Sequence, residues 1–285
     1  MQPEAVRRAE HALGLEVRSW RRVVGGGYTH AEHWLLELAD GRSLFAKAAV
    51  DRETADWLRT EERLYAAVGG RHAPRLVAAA EGVLLLEDLT DARWPPPWDA
   101  EGIDAVLATL GEVAATPAPT GLPRLGEAID SGWRRVADDP ARFLGLGLCS
   151  SAWLEAALPV LLAGDRDAPL AGGDLLHCDV RSDNLCLRGG RALLVDWNLA
   201  CVGNGIFDVA FWLPSLVLEG GPPIEAVATR HPGVDACAGF VAGFFAARAG
   251  LPELPHAPRV RRFQRAQLEV ALPWAVRTLR LPYDV

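Results

Sequence analysis

The sequence predicts an α+β protein in two parts: a small antiparallel sheet to about residue 89, then a larger and mainly helical part spanning 90–285. Three features predict it. The first ninety or so residues hold short apolar runs separated by turn residues, the pattern of a sheet. Arg93 to Asp99 reads RWPPPWD, which no regular element accommodates because successive prolines remove backbone donors. Beyond that loop, apolar residues recur mostly at helical spacing.

Taken in order, residues 1–15 predict a short helix and Arg18 to Val24 a first strand, broken by Gly25-Gly26-Gly27. His30 to Leu38 predicts a second strand. Asp40-Gly41 is a hairpin turn signal, and Ser43 to Val50 is the third strand. Residues 52–68 have helical periodicity, with Ala55, Leu58, Leu64, Tyr65 and Val68 as the apolar set. Pro74 begins a further extended piece, and Val83 to Leu86 reads as a buried strand running into Glu87-Asp88-Leu89. Helices follow at 100–114, about 126–138, 151–163, 235–249 and 258–280. One β segment, 174–200, interrupts them and carries the densest polar cluster in the chain. A ligand is expected in the cleft between the two parts. No internal repeat of solenoid period is visible.

Composition narrows the function. With 285 residues, half of them hydrophobic, the chain can bury a large core. A net charge of −8 repels phosphate backbones, so no nucleic-acid partner is expected. The start has no apolar stretch behind its arginines and does not read as a secretory signal. The apolar run at 209–218 is too short to cross a bilayer, so no membrane partner is expected. Five cysteines without a C-x-x-C spacing suit reduced thiols in the cytoplasm. Oligomeric state is not readable. Of 29 basic residues, 28 are arginine and one, Lys47, is lysine. In a chain that uses arginine nearly everywhere, the single lysine marks a place for a compact ammonium, or else reflects chance in an arginine-rich composition.

The polar cluster carries the chemistry. Asn184–Arg188 and Arg191–Val195 flank Gly189-Gly190, a two-residue hairpin. If Arg188 faces Arg191, Asn184 faces Val195, and Asn184 and Asp196 lie within one residue of being opposite. Asp179 is on the loop leading in. Mg²⁺ takes one or two carboxylates with phosphate oxygens and water. Phosphoryl transfer needs that metal and a carboxylate to orient the attacking hydroxyl. Asp179, Asn184 and Asp196 supply these groups, although each alone would also serve as a polar cap on a hairpin. His177 has no second ligand at zinc spacing and reads as a residue that orients the loop. The chain has neither a G-x-x-x-x-G-K-[ST] phosphate loop nor a G-x-S-x-G elbow.

Residues 177–184, HCDVRSDN, resemble the H-G-D-x-x-x-x-N catalytic loop of aminoglycoside phosphotransferases and related choline-kinase-like enzymes, small-molecule kinases of protein-kinase-like fold. Val195-Asp196-Trp197 resembles their I-D-W. Residues 203–210, GNGIFDVA, resemble their G-D-P-x-x-D-L-A. The resemblance spans roughly 20–215 and is strongest at 176–210. It implies a two-lobed fold with a nucleotide-binding N-lobe at 1–89 and a catalytic, acceptor-binding C-lobe at 90–285. It implies that Gly25, Gly26 and Gly27 cover phosphates, that Lys47 contacts the α/β-phosphates, and that Glu61, in E-x-x-x-Tyr65, partners the lysine. The helical period does not choose between Glu61 and Glu62. Glu87, Asp88 and Leu89 become the hinge that meets the nucleobase. Asn184 and Asp196 become magnesium ligands and Asp179 the catalytic carboxylate. Asp208 braces the catalytic loop with His177, and Arg181 braces it or contacts substrate.

Two departures stand out: Cys178 replaces the usual glycine, which puts the local backbone in question, and Asn204 replaces the usual aspartate. The implied reaction is magnesium-dependent transfer of the γ-phosphoryl of ATP or GTP to a hydroxyl of a small molecule: an antibiotic, an amino alcohol, a sugar or an amino acid. The alternatives are a nucleotide-binding pseudokinase that senses or scaffolds, and a Mg²⁺-dependent hydrolase.

Overall fold

The computed structural model describes residues 2–23, 31–254 and 257–282. The chain forms two compact units, each discontinuous in sequence. The first comprises residues 1–95, 100–121 and 182–200; the second comprises 96–99, 122–181 and 201–285. In chain order the first unit holds α1 (Glu4–Leu13), β1 (Val17–Val23), β2 (Glu32–Leu38), β3 (Ser43–Ala48), α2 (Arg52–Val68), β4 (Leu76–Ala80), β5 (Val83–Glu87) and α3 (Ala100–Ala114). The second unit then holds α4 (Leu125–Ala128), α5 (Trp133–Asp138), α6 (Ala141–Leu144), α7 (Ser151–Arg166) and β6 (Asp174–Leu176). The chain returns to the first unit for the hairpin β7 (Leu185–Arg188) and β8 (Arg191–Leu194). It ends in the second with β9 (Cys201–Gly203), α8 (Ile206–Leu218), α9 (Ile224–Ala228), α10 (Ala238–Ala249) and α11 (Val260–Thr278).

In the first unit, β1 to β5 form one sheet in the order β1-β2-β3-β5-β4, every neighbour antiparallel. Strand alternation sorts its side chains onto two faces. Leu36 and Leu38, Leu44, Ala46 and Ala48, Val83 and Leu85 form one core with Ala5, Val6 and Ala9 of α1. The odd-numbered residues of β2 and β3 and the even-numbered residues of β5 take the other face. Helix α2 starts at a capping box: Asp51 Oδ1 accepts the Thr54 N–H at 2.8 Å, and Thr54 Oγ1 accepts the Asp51 N–H at 3.1 Å. Its buried stripe is Thr54, Leu58, Glu61, Leu64, Tyr65 and Val68. Glu61 therefore sits on the apolar face, and Glu62 is exposed.

The hairpin has the expected register, with Arg188 opposite Arg191 and Leu185 opposite Leu194. The Val195 N–H continues it by donating to Asn184 O at 2.8 Å. Gly189 and Gly190 both have positive φ, 59° and 74°, as a tight turn of this kind requires. The expected single segment 174–200 is split between units, since β6 pairs in the second with β9.

Helices differ from expectation in several places, and the short helices α6 and α9 were not expected. The stretch expected as one helix at 126–138 is two short helices, α4 and α5. Gly132 between them has φ 102°, which ends helical geometry. Helix α8 was not expected. It is buried on all sides, with every residue of 207–216 buried, Asp208 and Ser215 included, so it lacks the one-sided stripe that marks an amphipathic helix. Among the described residues, no helix is long and apolar enough to cross a membrane.

Gly172 lies against the end of β9. A Cβ there would come within 2.2 Å of Gly203 O and 2.8 Å of Asn204 N. The obstruction is backbone, so β9 or its approach must move. We expect Gly172→Ala to destabilise the protein by about 1–3 kcal/mol, measured as a lower denaturation midpoint at unchanged slope.

Candidate active site

Within the first unit, a cavity of about 510 Å³ lies on the sheet face opposite α1. The wall from β1 to β5 includes Val23, His33, Leu35, Phe45, Lys47 and Leu86. Glu87, Asp88, Leu89 and Trp94 form a second wall, and Asn184, Val195 and Asp196 a third. Of the residues singled out from sequence, Lys47, Glu87, Asp88, Leu89, Asn184 and Asp196 thus line one cavity. Gly25, Gly26 and Gly27 lie outside the described residues.

Lys47 is buried at 5% exposure and Glu61 at 0%. The Lys47 ammonium donates to both Glu61 oxygens, at 2.5 and 2.7 Å, and to Asp196 Oδ1 at 3.3 Å. Burial alone would lower the lysine pKa; the carboxylates of Glu61 and Asp196 outweigh it and hold the ammonium charged. Burial pushes Glu61 up to about 7 against the pull of Lys47. Removing one partner from such a buried pair costs about 3–5 kcal/mol, because the other charge is left uncompensated.

Asp196 follows β8 with φ 64°, a left-handed conformation uncommon outside glycine. Neighbours hold it there. Its N–H donates to the Tyr65 hydroxyl at 3.2 Å, and its Oδ1 accepts from Asn198 Nδ2 at 2.6 Å. Burial pushes the Tyr65 phenol pKa up, so the hydroxyl stays protonated. One helix thus contributes both Glu61 and Tyr65, at i and i+4, to the setting of Lys47 and Asp196.

The side chains of Glu87 and Asp88, expected from the sequence to form a hinge, are engaged in bracing. Glu87 Oε1 accepts the Arg75 N–H at 2.9 Å and pairs with Arg188 at 3.0 Å. The Asp88 carboxylate accepts the N–H and hydroxyl of Thr90, at 2.9 and 3.0 Å. Trp94, in the same wall of the cavity, donates its indole N–H to Leu89 O at 3.4 Å. Trp274 is a core residue, buried at 1% and bonded to Asp235.

The remaining candidates meet in the second unit. Both oxygens of buried Asp208 accept backbone N–H groups, Oδ2 from His177 and Oδ1 from Cys178, each at 2.7 Å. Burial raises the Asp208 pKa, opposed by His177 and by these two N–H groups. His177 Nδ1 accepts the Asp179 N–H at 3.2 Å. Arg181 Nε lies 3.4 Å from Asp179 Oδ1. Cys178 answers the question its sequence raised: it adopts φ 62°, the conformation a glycine takes without strain. Its Sγ is fully buried, 3.1 Å from Cys201 Sγ.

Among the described residues, no three His, Cys, Asp or Glu side chains group as a metal cage. Asn184 and Asp196 line the same cavity, and an amide and a carboxylate side chain together fit a cation that completes its shell with phosphate and water.

Sequence reasoning missed His33, Leu35 and Phe45, which line the cavity without belonging to any motif. Strand parity with Lys47 was the available signal. Burial and the Lys47 charge push the His33 pKa down to about 4, with Asp196 opposing in part.

A family model described as the phosphotransferase enzyme family matches residues 20–240. A search of curated proteins finds no match. Among solved structures, the aminoglycoside phosphotransferase APH(4)-Ia aligns over 93% of this chain and 94% of its own, at 15% identity and TM-score 0.60. A thermostable variant of it, in ternary complex with ADP and hygromycin B, aligns over 99% and 100%, at 15% identity and TM-score 0.57. A candidate fructosamine-3-kinase from Thermobifida fusca aligns over 93% and 98%, at 20% identity and TM-score 0.54. At such identities the likeness concerns the fold, and it bears out the α+β, protein-kinase-like fold expected from the sequence.

The Asp208 clamp yields a test independent of activity. Asp208→Asn turns one acceptor into an N–H donor facing a backbone N–H. We expect a loss of about 1–3 kcal/mol, read from chemical denaturation.

Proposed function

The chain belongs to the phosphotransferase enzyme family, and from that premise we propose that it moves the γ-phosphoryl of ATP, or GTP, onto a hydroxyl of a small molecule. The observation that carries this reading is the shared cavity. A hinge segment, a buried lysine paired with a helix glutamate, and two oxygen donors at a hairpin end all line it or border it. In this reading the base lies against Leu35, Phe45 and the Glu87–Leu89 backbone. Lys47 holds the α/β-phosphates, with Glu61 fixing its ammonium. Asn184 and Asp196 would hold magnesium, which when bound neutralises charge on the phosphate oxygens.

Asp179 is the carboxylate that orients the acceptor hydroxyl and takes its proton. Arg181 Nε lies 3.4 Å from its Oδ1, and the His177–Asp208 clamp braces the loop that carries it. With little covalent chemistry for the protein to perform, the rate would come from positioning and charge stabilisation. The acceptor class is an antibiotic, an amino alcohol, a sugar or an amino acid.

The test is a panel of hydroxyl compounds scored for acceptor-dependent ADP release with magnesium and ATP. Nucleotide binding without release for any acceptor would favour a non-catalytic role, and phosphate release without acceptor would favour hydrolysis. With an active acceptor, Asp179→Ala should lower kcat at least about a hundredfold and leave ATP affinity within about twofold. Retained turnover would remove Asp179 from the chemistry.

A further inference from the structure

The sheet register divides the cavity wall into two rungs. On one rung, Leu35 of β2 stands opposite Phe45 of β3, which stands opposite Leu86 of β5. On the next rung of the same face, His33 of β2 stands opposite Lys47 of β3. The rungs are two residues apart, about 6.5 Å along a strand. The first is apolar and suits a flat base. The second places an imidazole beside the buried ammonium of Lys47.

His33 has a polar atom without an assigned task. Its Nε2 is shielded from solvent in this ring orientation and makes no hydrogen bond among the described residues; the ring lines the cavity, and a turn about its soft χ2 torsion brings Nε2 to a ligand there. Its ring lies 5.5 Å from that of Phe45, in a tilted contact. A buried, unpaired polar atom is costly, and in the wall of a binding cavity a ligand atom is its natural partner. The neutral imidazole offers one N–H donor and one bare acceptor, on either nitrogen. Phosphate oxygens only accept, so the tautomer with hydrogen on Nε2 is the one that meets them. A neutral donor also adds a hydrogen bond without placing a second cation against Lys47, which would compete for Glu61 and Asp196.

We propose that His33 is a positioning residue for the donor nucleotide, its Nε2–H donating to a phosphate oxygen of the tail that Lys47 holds. The proposal rests on the nucleotide reading of the cavity given above. It assigns His33 to the phosphate tail and leaves the base to Leu35, Phe45 and the hinge.

The test is calorimetric titration of ATP without added metal, and of adenosine, into the wild-type protein and three variants. His33→Phe and His33→Leu remove the donor and keep apolar bulk, each serving if the other fails to fold. His33→Gln restores an N–H donor. The expected result is that Phe and Leu weaken ATP about five- to tenfold, the size of one neutral hydrogen bond, while adenosine stays within about twofold. Gln should recover most of the ATP affinity. Equal loss for ATP and adenosine would make His33 a wall residue only, and unchanged ATP affinity would take it off the phosphate; either overturns the proposal. A wild-type protein that binds adenosine no differently from ATP, or binds neither, would instead defeat the nucleotide reading itself.

Discussion

The structure of the first unit depends on one buried charge and its answer. Lys47 carries its ammonium into a site almost closed to water, where burial alone would lower its pKa. Glu61 and Asp196 keep it charged. That requirement reaches outward. It fixes which face of α2 turns inward, since Glu61 must share the stripe with Leu58 and Tyr65. It also fixes where β8 must end, since Asp196 must arrive beside the ammonium. In the proposed reading, a cation so oriented, with carboxylates satisfied on one side, is preorganised for the oxygens of a polyphosphate.

Of the three described non-glycine residues with left-handed backbone, Asp196, Cys178 and Arg280, the first two belong to the candidate site, Asp196 in the first unit and Cys178 in the second. Such conformations cost of order 1–3 kcal/mol each and persist only where surroundings over-determine them. Here the surroundings are visible. Asp196 is held by Tyr65, Asn198 and Lys47. Cys178 is held through its N–H by Asp208 and packs its thiol on Cys201. Both lie next to or within the residues proposed to act on phosphate and acceptor, so the local strain falls where geometry has to be exact rather than comfortable.

How much of this was legible in the sequence follows from the physics of each element. The hairpin at Gly189-Gly190 was, because two residues of positive φ dictate its register. The sheet strands were, because alternation survives in β2 and β3. The choice between Glu61 and Glu62 was not, because both neighbours are acids and only the packed face of α2 separates them. Helix α8 was hidden by its own burial, which erases the stripe that would reveal it. The division of 174–200 between units was hidden because β6 pairs with β9, across the intervening hairpin in sequence. His33 was hidden because its meaning lies in a cross-strand rung with Lys47, fourteen residues away, and in no local motif.

The central claim is that Lys47, held by Glu61, meets the phosphates of a nucleotide in the cavity that Asn184 and Asp196 also line. The most direct measurement is a crystal structure of the protein with a non-hydrolysable ATP analogue and magnesium. The account places an α- or β-phosphate oxygen about 3 Å from Lys47 Nζ, the Glu61 pair intact, and the metal on Asn184 and Asp196. An analogue bound elsewhere, or bound here with its phosphates turned away from Lys47, would contradict it.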